Sequence, residues 1–551
     1  PSLSPLPGTA MAGELRLSDD EVAGPSLETL PEECLLHVLC QLSVADNAAV
    51  AQTSKLLRDV AYSDYLWREF CMRERHGASL DFSESVLGSF SHPDAQPIQK
   101  SPALTRQPSA ASGLPWRDVY RTTTESLALT LCIDTGRGYA KYGLAKAGTP
   151  SMLQICQPNA ECSQETLFPM VLRRLGLRRA QLADYSAIVS EPFAFASCAG
   201  RRHRNAWRAN VESKLLQVYG MRRLAIVDSA SLCLFSHQLT TGVVVNIGFG
   251  RTFIVPVLAG SIVRSAVLDV NLSGMELTQT MAELLHRAGH DLSLTPATDG
   301  DRPIPPVTVA RNVKELGIEV FPTSLEAHLG TSPYMARSVL NRSDAPVKDV
   351  YVGSRKFSLG WERFLCAETI FLDDGSAGID HGPIHRAVLA AIDATVRAVD
   401  EGEVEDVGSR DKALRDELLK RVVLSGGSAA IAGLPERLGY ELDRLVRQPA
   451  AASSPSAAPT APVAPADAML DVRPVTCGAV TIYPAHPRDT STWLGASMLA
   501  GTSTFATHWA IRTPKLSKRR AASAAAEHGD ESSEEDEESE DEESEDEESE
   551  D

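Results

Sequence analysis

Two stretches of the chain share one pattern. "LALTLCIDTGRGYAKYGLA", Leu127 to Ala145, and "GVVVNIGFGRTFIVP", Gly242 to Pro256, each run from apolar residues through a polar residue and two alternate glycines into a second apolar run. The flanking runs read as paired strands, and the glycines let backbone amides approach an anion with no Cβ in the way. In the first copy Asp134, Gly136, Gly138 and Lys141 stand in order, so that Lys141 could neutralise a phosphate and Asp134 could organise a hydrated Mg2+. In the second the order is Asn246, Gly248, Gly250 and Thr252. Either copy alone also fits an ordinary hairpin; two of them, about a hundred residues apart, are what a phosphate clamp between two lobes requires. A third element, "RVVLSGGSAAIAGLPERL", puts Gly426, Gly427 and Ser428 between a strand-like run and a helical one, where bare backbone can pack on a nucleoside.

Strand-like and helical runs alternate through this region, "GVVVNIG" against "MELTQTMAELLHRAG" and "HRAVLAAIDATVRAV", which implies an α/β architecture. Low-complexity stretches set its limits. A leader spans 1–25 and a Pro/Ser-rich linker spans 77–126, ending in "LPWRDVYR", a short Trp-containing helix. An Ala/Pro-rich insertion covers about 449–468. The last 22 residues, from Asp530, hold 17 acids and no base; without them the chain carries 53 basic against 56 acidic side chains, so the folded part is nearly neutral. Like charges at that density repel, and the 517–551 tail is expected to be disordered. Its serines Ser532, Ser533, Ser539, Ser544 and Ser549 suit an acid-directed kinase. "PKLSKRR", Pro514 to Arg520, reads as a nuclear-import signal or as an ordinary exposed basic cluster.

The ten cysteines are scattered with no C-x-x-C pair, as expected of reduced, buried thiols in an intracellular protein. With no long apolar run and no secretory leader, a soluble protein without membrane contact is expected. The sequence opens at Pro1, so either the true initiator lies further on, with Met11 a plausible position, or the chain is a fragment.

A helical segment at 26–76 precedes the linker. Pro31, Glu32 and Glu33 suit the first turn of a helix, and Leu35, Leu36, Leu39 and Leu42 form its apolar stripe. Val44 to Lys55 and Leu56 to Phe70 are read as two further helices. A bundle this small buries little surface and usually needs a partner. The residue order resembles an F-box: Leu30 and Pro31 followed by acids, Ala45 and Asp46 at the turn, Ser54 to Arg58, and a closing "LWR" at Leu66 to Arg68, with Leu57 where a Trp is common. The resemblance implies docking to a Skp-type adaptor and a cullin through Leu30, Pro31, Leu35, Leu36, Leu39 and Leu42, with no chemistry in the module itself.

The three glycine elements, together with "NLSGMELTQTMAELL", "ARNVKELG" and "STWLGASMLAGTSTFATHWA", resemble the actin family over 127–516. With the F-box in front, the chain is similar to plant-type F-box actin-related proteins. The implied fold is the two-lobed α/β ATPase fold of actin, Hsp70 and hexokinase, here with a shortened small subdomain between Lys141 and Glu191 that makes actin-like filaments unexpected. ATP or ADP with Mg2+ is the implied ligand, held by Asp134, Gly136, Gly138, Lys141, Asn246, Gly248, Gly250, Lys314, Glu315, Gly426, Gly427 and Ser428. Lys314 and Glu315 match the residues flanking the adenine.

The departures weaken the chemistry. By the resemblance, the second loop's two acids fall on Asn246 and Phe249, the catalytic His on Phe253, and the water-positioning Gln on Val227. Asp228 could stand in only if its strand shifted by one residue, which would reverse its side-chain direction. Ile431 replaces a Tyr, and Asp489 replaces a Lys. No catalytic residue and no dedicated metal site is therefore expected, because phosphoryl transfer depends on placed charge. The leading reading is a non-catalytic substrate receptor of an SCF-type ubiquitin ligase, in nucleus, nucleolus and cytoplasm, that holds nucleotide without efficient hydrolysis and recognises an unidentified protein. The alternatives are a nuclear scaffold of chromatin-type complexes whose acidic tail meets a basic protein, and a nucleotide-gated ATPase.

Overall fold

The computed structural model describes residues 30–73, 116–154, 164–197, 201–293, 304–330, 336–342, 344–372, 383–402, 411–447, 473–486, 489–501 and 509–511. The leader, the 449–468 insertion, the basic cluster and the acidic tail lie outside them.

The N-terminal module has four helices where the sequence predicts three: α1 (Glu32–Leu39), α2 (Val44–Val50), α3 (Lys55–Ala61) and α4 (Asp64–Arg73). Hydroxyl side chains decide the breaks. Ser43 Oγ accepts from Asp46 N and Ser54 Oγ accepts from Leu57 N, capping α2 and α3. Ser63 Oγ accepts from Leu66 N at 3.4 Å, which ends the helix expected to run through to Phe70. Leu35, Leu39, Leu57, Val60, Leu66, Trp67 and Phe70 form the core. The helix Trp116–Ala128 seats on this module: Trp116 N donates to Asp64 Oδ1 at 2.6 Å and the Tyr120 ring packs 5.3 Å from Trp67. It runs on to Ala128, two residues into the run expected to be strand.

Two sheets build the rest. The first contains β1 (Thr130–Asp134), β2 (Tyr139–Leu144), β3 (Ser151–Gln154), β4 (Ser186–Glu191) and β5 (Arg223–Asp228). The second contains β6 (Gly242–Ile247), β7 (Thr252–Leu258), β8 (Ser261–Ile262) and β9 (Leu268–Val270). A separate hairpin, β10 (Lys348–Val352) with β11 (Arg355–Leu359), precedes β12 (Val422–Ser425), β13 (Val475–Cys477) and β14 (Val480–Tyr483) of the second sheet. The last strand, β15 (Ala510–Ile511), returns to the edge of the first, giving the orders β15-β5-β4-β1-β2-β3 and β13-β14-β12-β6-β7-β8, with β9 on β7. In each sheet an antiparallel hairpin, β1–β2 or β6–β7, lies beside a parallel neighbour, β4 or β12. Central parallel strands are buried on both faces, and β1, β4, β6 and β12 are buried along their whole length. Among the described residues between Lys141 and Glu191, the only strands are those of the first sheet itself.

The lobes join through two helices. All eight residues of Ser229–Ser236 are buried, and Ser491–Ala500 packs on it so closely that a Cβ on Gly495 would lie 1.8 Å from Leu232 O. Of the cysteines, Cys132, Cys233 and Cys366 are buried, and burial pushes the Cys233 and Cys366 thiols up to about 12; Cys34, contrary to expectation, is exposed. No helix among the described residues is long and apolar enough to cross a membrane.

Candidate functional site

The two hairpin turns and the 426–428 loop face one cleft of about 1380 Å3 between the lobes. Asp134, Gly136, Gly138, Lys141, Asn246, Gly248, Gly250, Lys314, Glu315, Gly426, Gly427 and Ser428 all line it. Backbone crowding accounts for the first glycine of each turn. A Cβ on Gly136 would lie 2.6 Å from Tyr139 O, and one on Gly248 would lie 2.9 Å from Arg251 O. Antiparallel pairing sets Asp134 opposite Lys141 and Asn246 opposite Phe253, so both polar positions sit where a strand enters its turn.

At the floor of the cleft Lys141 Nζ lies 3.2 Å from Asp134 Oδ2 and 3.0 Å from Asp489 Oδ2. All three groups are buried. Burial alone would lower the Lys141 ammonium, but the facing carboxylates of Asp489 and Asp134 outweigh it and hold the proton above the usual lysine range. Asp134 Oδ1 accepts from Ser190 Oγ at 3.0 Å, so each carboxylate oxygen has a partner within the protein. Asn246 donates through Nδ2 to Ser425 Oγ at 3.3 Å.

The second turn is tied to a helix rather than left free. Gly248 O and Phe249 O accept from Gly274 N and Met275 N at the start of the helix Gly274–Arg287, using donors a phosphate could otherwise claim. Phe249 crosses to the first turn: a Cβ on Gly138 would meet Phe249 Cβ at 2.9 Å. The Arg311 guanidinium covers both turns, 5.3 Å from the Phe249 ring and 5.0 Å from that of Tyr139. Lys314 Nζ donates to Gly274 O at 2.7 Å, and burial lowers its ammonium. Glu315 Oε1 accepts from Arg311 Nε at 2.9 Å.

The shift needed to bring Asp228 into play does not occur. β4 and β5 pair without a break, Ser190 opposite Val227 and Glu191 opposite Asp228. Asp228 faces Arg204 at 3.8 Å and Arg264 at 3.5 Å and does not line the cleft. Burial and the Glu191 carboxylate push it up to about 6. Val227 is buried and apolar, so no water-positioning group stands on that strand.

These contacts test the fit of Mg-ATP in two parts. The nucleoside end fits: a Cβ on Gly427 would meet nothing within 4 Å, leaving open space beside bare backbone. The metal and polyphosphate end does not, because Asp134 is fully engaged, Asn246 is neutral, Phe249 packs between the turns, and Lys141 already balances two carboxylates.

Sequence reasoning missed Ser190, which lies in no quoted motif, and passed over Ser425 and Arg311 inside the stretches "RVVLSGGSAAIAGLPERL" and "ARNVKELG". It marked Asp489 as a departure but not as the partner of Lys141. In the N-terminal module, Leu35 and Leu39 face the module's own core and Leu36 and Leu42 are half-buried, so direct adaptor contact through Leu35 and Leu39 is corrected to a packing role. Leu30 and Pro31 are exposed as expected, and Val38, Leu56, Tyr62 and Tyr65 add exposed apolar surface that the motif did not single out.

Comparison with known proteins agrees with this architecture. The family model "Actin" matches residues 200–514, more than half of the chain, and "F-box-like" matches 27–73. "Actin-related protein 8" of Oryza sativa subsp. indica is 26% identical over 503 residues, 90% of this chain and 88% of the relative. "Actin-related protein 8" of Arabidopsis thaliana is 25% identical over 521 residues, 92% of each. An "Actin-like protein" of Neurospora crassa is 26% identical over 296 residues, 54% of this chain and 62% of the relative.

Proposed function

The chain belongs to the actin family and carries an F-box-like module at its N-terminal end, and from that premise we propose that it is a non-catalytic substrate receptor of an SCF-type ubiquitin ligase. The module docks a Skp-type adaptor, and through it a cullin; the two-lobed domain recognises the protein to be modified. The observation that carries this reading is a cleft that keeps the packing of both lobes while its polyphosphate end has lost charge at Asn246, Phe249 and Phe253. ATP or ADP enters at the nucleoside end, beside Gly426, Gly427 and Ser428, and is not efficiently hydrolysed. Asp134 and Asp489 are both tied to Lys141, and β5 carries the buried, apolar Val227 where the resemblance puts a water-orienting side chain. Action in nucleus and cytoplasm, contact of the acidic tail with a basic nuclear protein, and absence of filaments belong to the same reading.

The test uses the exposed pair at the start of α1. Full-length protein is expected to recover a Skp-type adaptor from a reconstituted mixture, and Leu30→Ala/Pro31→Ala to recover at least tenfold less at unchanged thermal stability. Equal recovery by both overturns the receptor reading. The same preparations are expected to release no phosphate from ATP above the rate in buffer; steady release abolished in Asp134→Ala would overturn the non-catalytic assignment.

A further inference from the structure

One polar cluster crosses the floor of the cleft from lobe to lobe. Asp489 stands in the segment between β14 and the helix Ser491–Ala500, one of the two passages between lobes. One carboxylate oxygen meets Lys141 Nζ of the first sheet at 3.0 Å. The other accepts from Gly426 N at 2.7 Å and from Ser425 Oγ at 3.1 Å, both at the end of β12 in the second sheet. An ammonium, a backbone N–H beside bare glycine and a hydroxyl are the donors that grip a phosphate oxygen. Here they grip a side chain of the chain itself. The position is held at some cost, because Asp489 adopts φ 51°, a left-handed backbone that few non-glycine residues take.

We propose that Asp489 is a resident anion of the cleft: its carboxylate occupies the phosphate-gripping donors, joins the two lobes in the absence of nucleotide, and competes with the phosphates of any nucleotide that enters. The inference rests on reading the cleft as a nucleotide-type site. A nucleotide phosphate can reach Lys141 and Gly426 N only by displacing Asp489, and the displaced carboxylate would then repel it. The two-lobed domain therefore keeps its lobes joined whether or not a nucleotide occupies the nucleoside end.

Asp489→Asn is the informative variant, because asparagine tolerates the left-handed backbone and keeps the shape while removing the charge. In full-length protein, melting temperature without ligand and the affinity of a fluorescent ADP analogue are measured together. The wild type is expected to gain only a small rise in melting temperature from millimolar ADP, as weak binding at the nucleoside end requires. Asp489→Asn should melt several degrees lower without ligand and bind the analogue at least tenfold more tightly than wild type. A lower melting temperature with no binding by either protein upholds the lobe-joining role and removes the nucleotide reading instead. An unchanged melting temperature with unchanged affinity overturns the proposal. Ser425→Ala, which removes one donor and no charge, serves if the asparagine variant does not fold. It should show a smaller drop in melting temperature and a two- to threefold gain in affinity, and equality with wild type in both overturns the proposal.

Discussion

Arg437→Ala is expected to destabilise the second lobe by about 3–5 kcal/mol, because it removes the cation of a buried ionic network and leaves the Glu368 carboxylate uncompensated. Arg437, in the helix Leu434–Arg447, is 2% exposed, and its partners Glu368 and Glu441 are 2% and 4% exposed. The guanidinium reaches Glu368 Oε1 at 3.2 Å and Glu441 Oε1 at 2.9 Å and also donates to the carbonyls of Phe321 and Thr323. It lies 4.7 Å from the centre of the Phe371 ring. Burial already raises the Glu368 carboxyl above its usual range, with Arg437 pulling it back, so loss of the cation strands Glu368 in low dielectric and leaves Glu441 only the exposed Arg444 at 3.6 Å. Thermal unfolding should show a fall on the order of 10 °C. Arg437→Met combined with Glu368→Met and Glu441→Met should recover most of it, since removing every charge together avoids the stranded ones. A single variant melting within about a degree of wild type would show that water reaches the network.

The second large effect separates two neighbouring glycines. Gly426 has φ 92° and ψ 147°, and a Cβ there would lie 2.3 Å from Ile247 O and 2.7 Å from Ile247 N. Those atoms are backbone of β6 and cannot rotate away. Gly426→Ala must therefore strain its own backbone and push β6 from β12, at a cost of at least about 3 kcal/mol. Its neighbour Gly427 would place a Cβ in open space. Gly427→Ala should stay within about 0.5 kcal/mol of wild type. Chemical denaturation of both variants checks the contrast, and equal midpoints would refute the close approach of the β12 turn to β6.

The glycine spacing was a readable signal because it answers to local rules. A residue whose Cβ would lie 2.6 Å from a carbonyl oxygen, as at Gly136 beneath Tyr139 O, tolerates no side chain. The residues taken from those spacings line one cleft, together with Lys314 and Glu315, which the actin resemblance supplied. The helices of the N-terminal module were legible for a similar reason, through apolar periodicity and the Pro and acids of the first turn. Periodicity does not say whether a stripe meets its own core or another protein, so Leu35 and Leu39 could not be told from Leu30 until the four helices were assembled. The break at Ser63 was missed because a serine inside a helical pattern signals a cap only when its hydroxyl finds Leu66 N.

By itself the sequence determined an α/β domain and the helical module ahead of it, because each rests on residue type and short-range spacing; the two-lobed form and the loss of charge at Asn246, Phe249 and Phe253 came from the resemblance to the actin family. Only the tertiary structure decided what the remaining charges do. Lys141 and Asp489 lie 348 positions apart, and nothing local to either foretells a 3.0 Å ion pair. Folding brings β2, the end of β12 and the segment before Ser491 to one point, where burial makes an unpaired ammonium untenable and a carboxylate its natural partner. The same hairpins that, read along the chain, describe a phosphate clamp are in the folded molecule closed by Phe249 and by the chain's own acid.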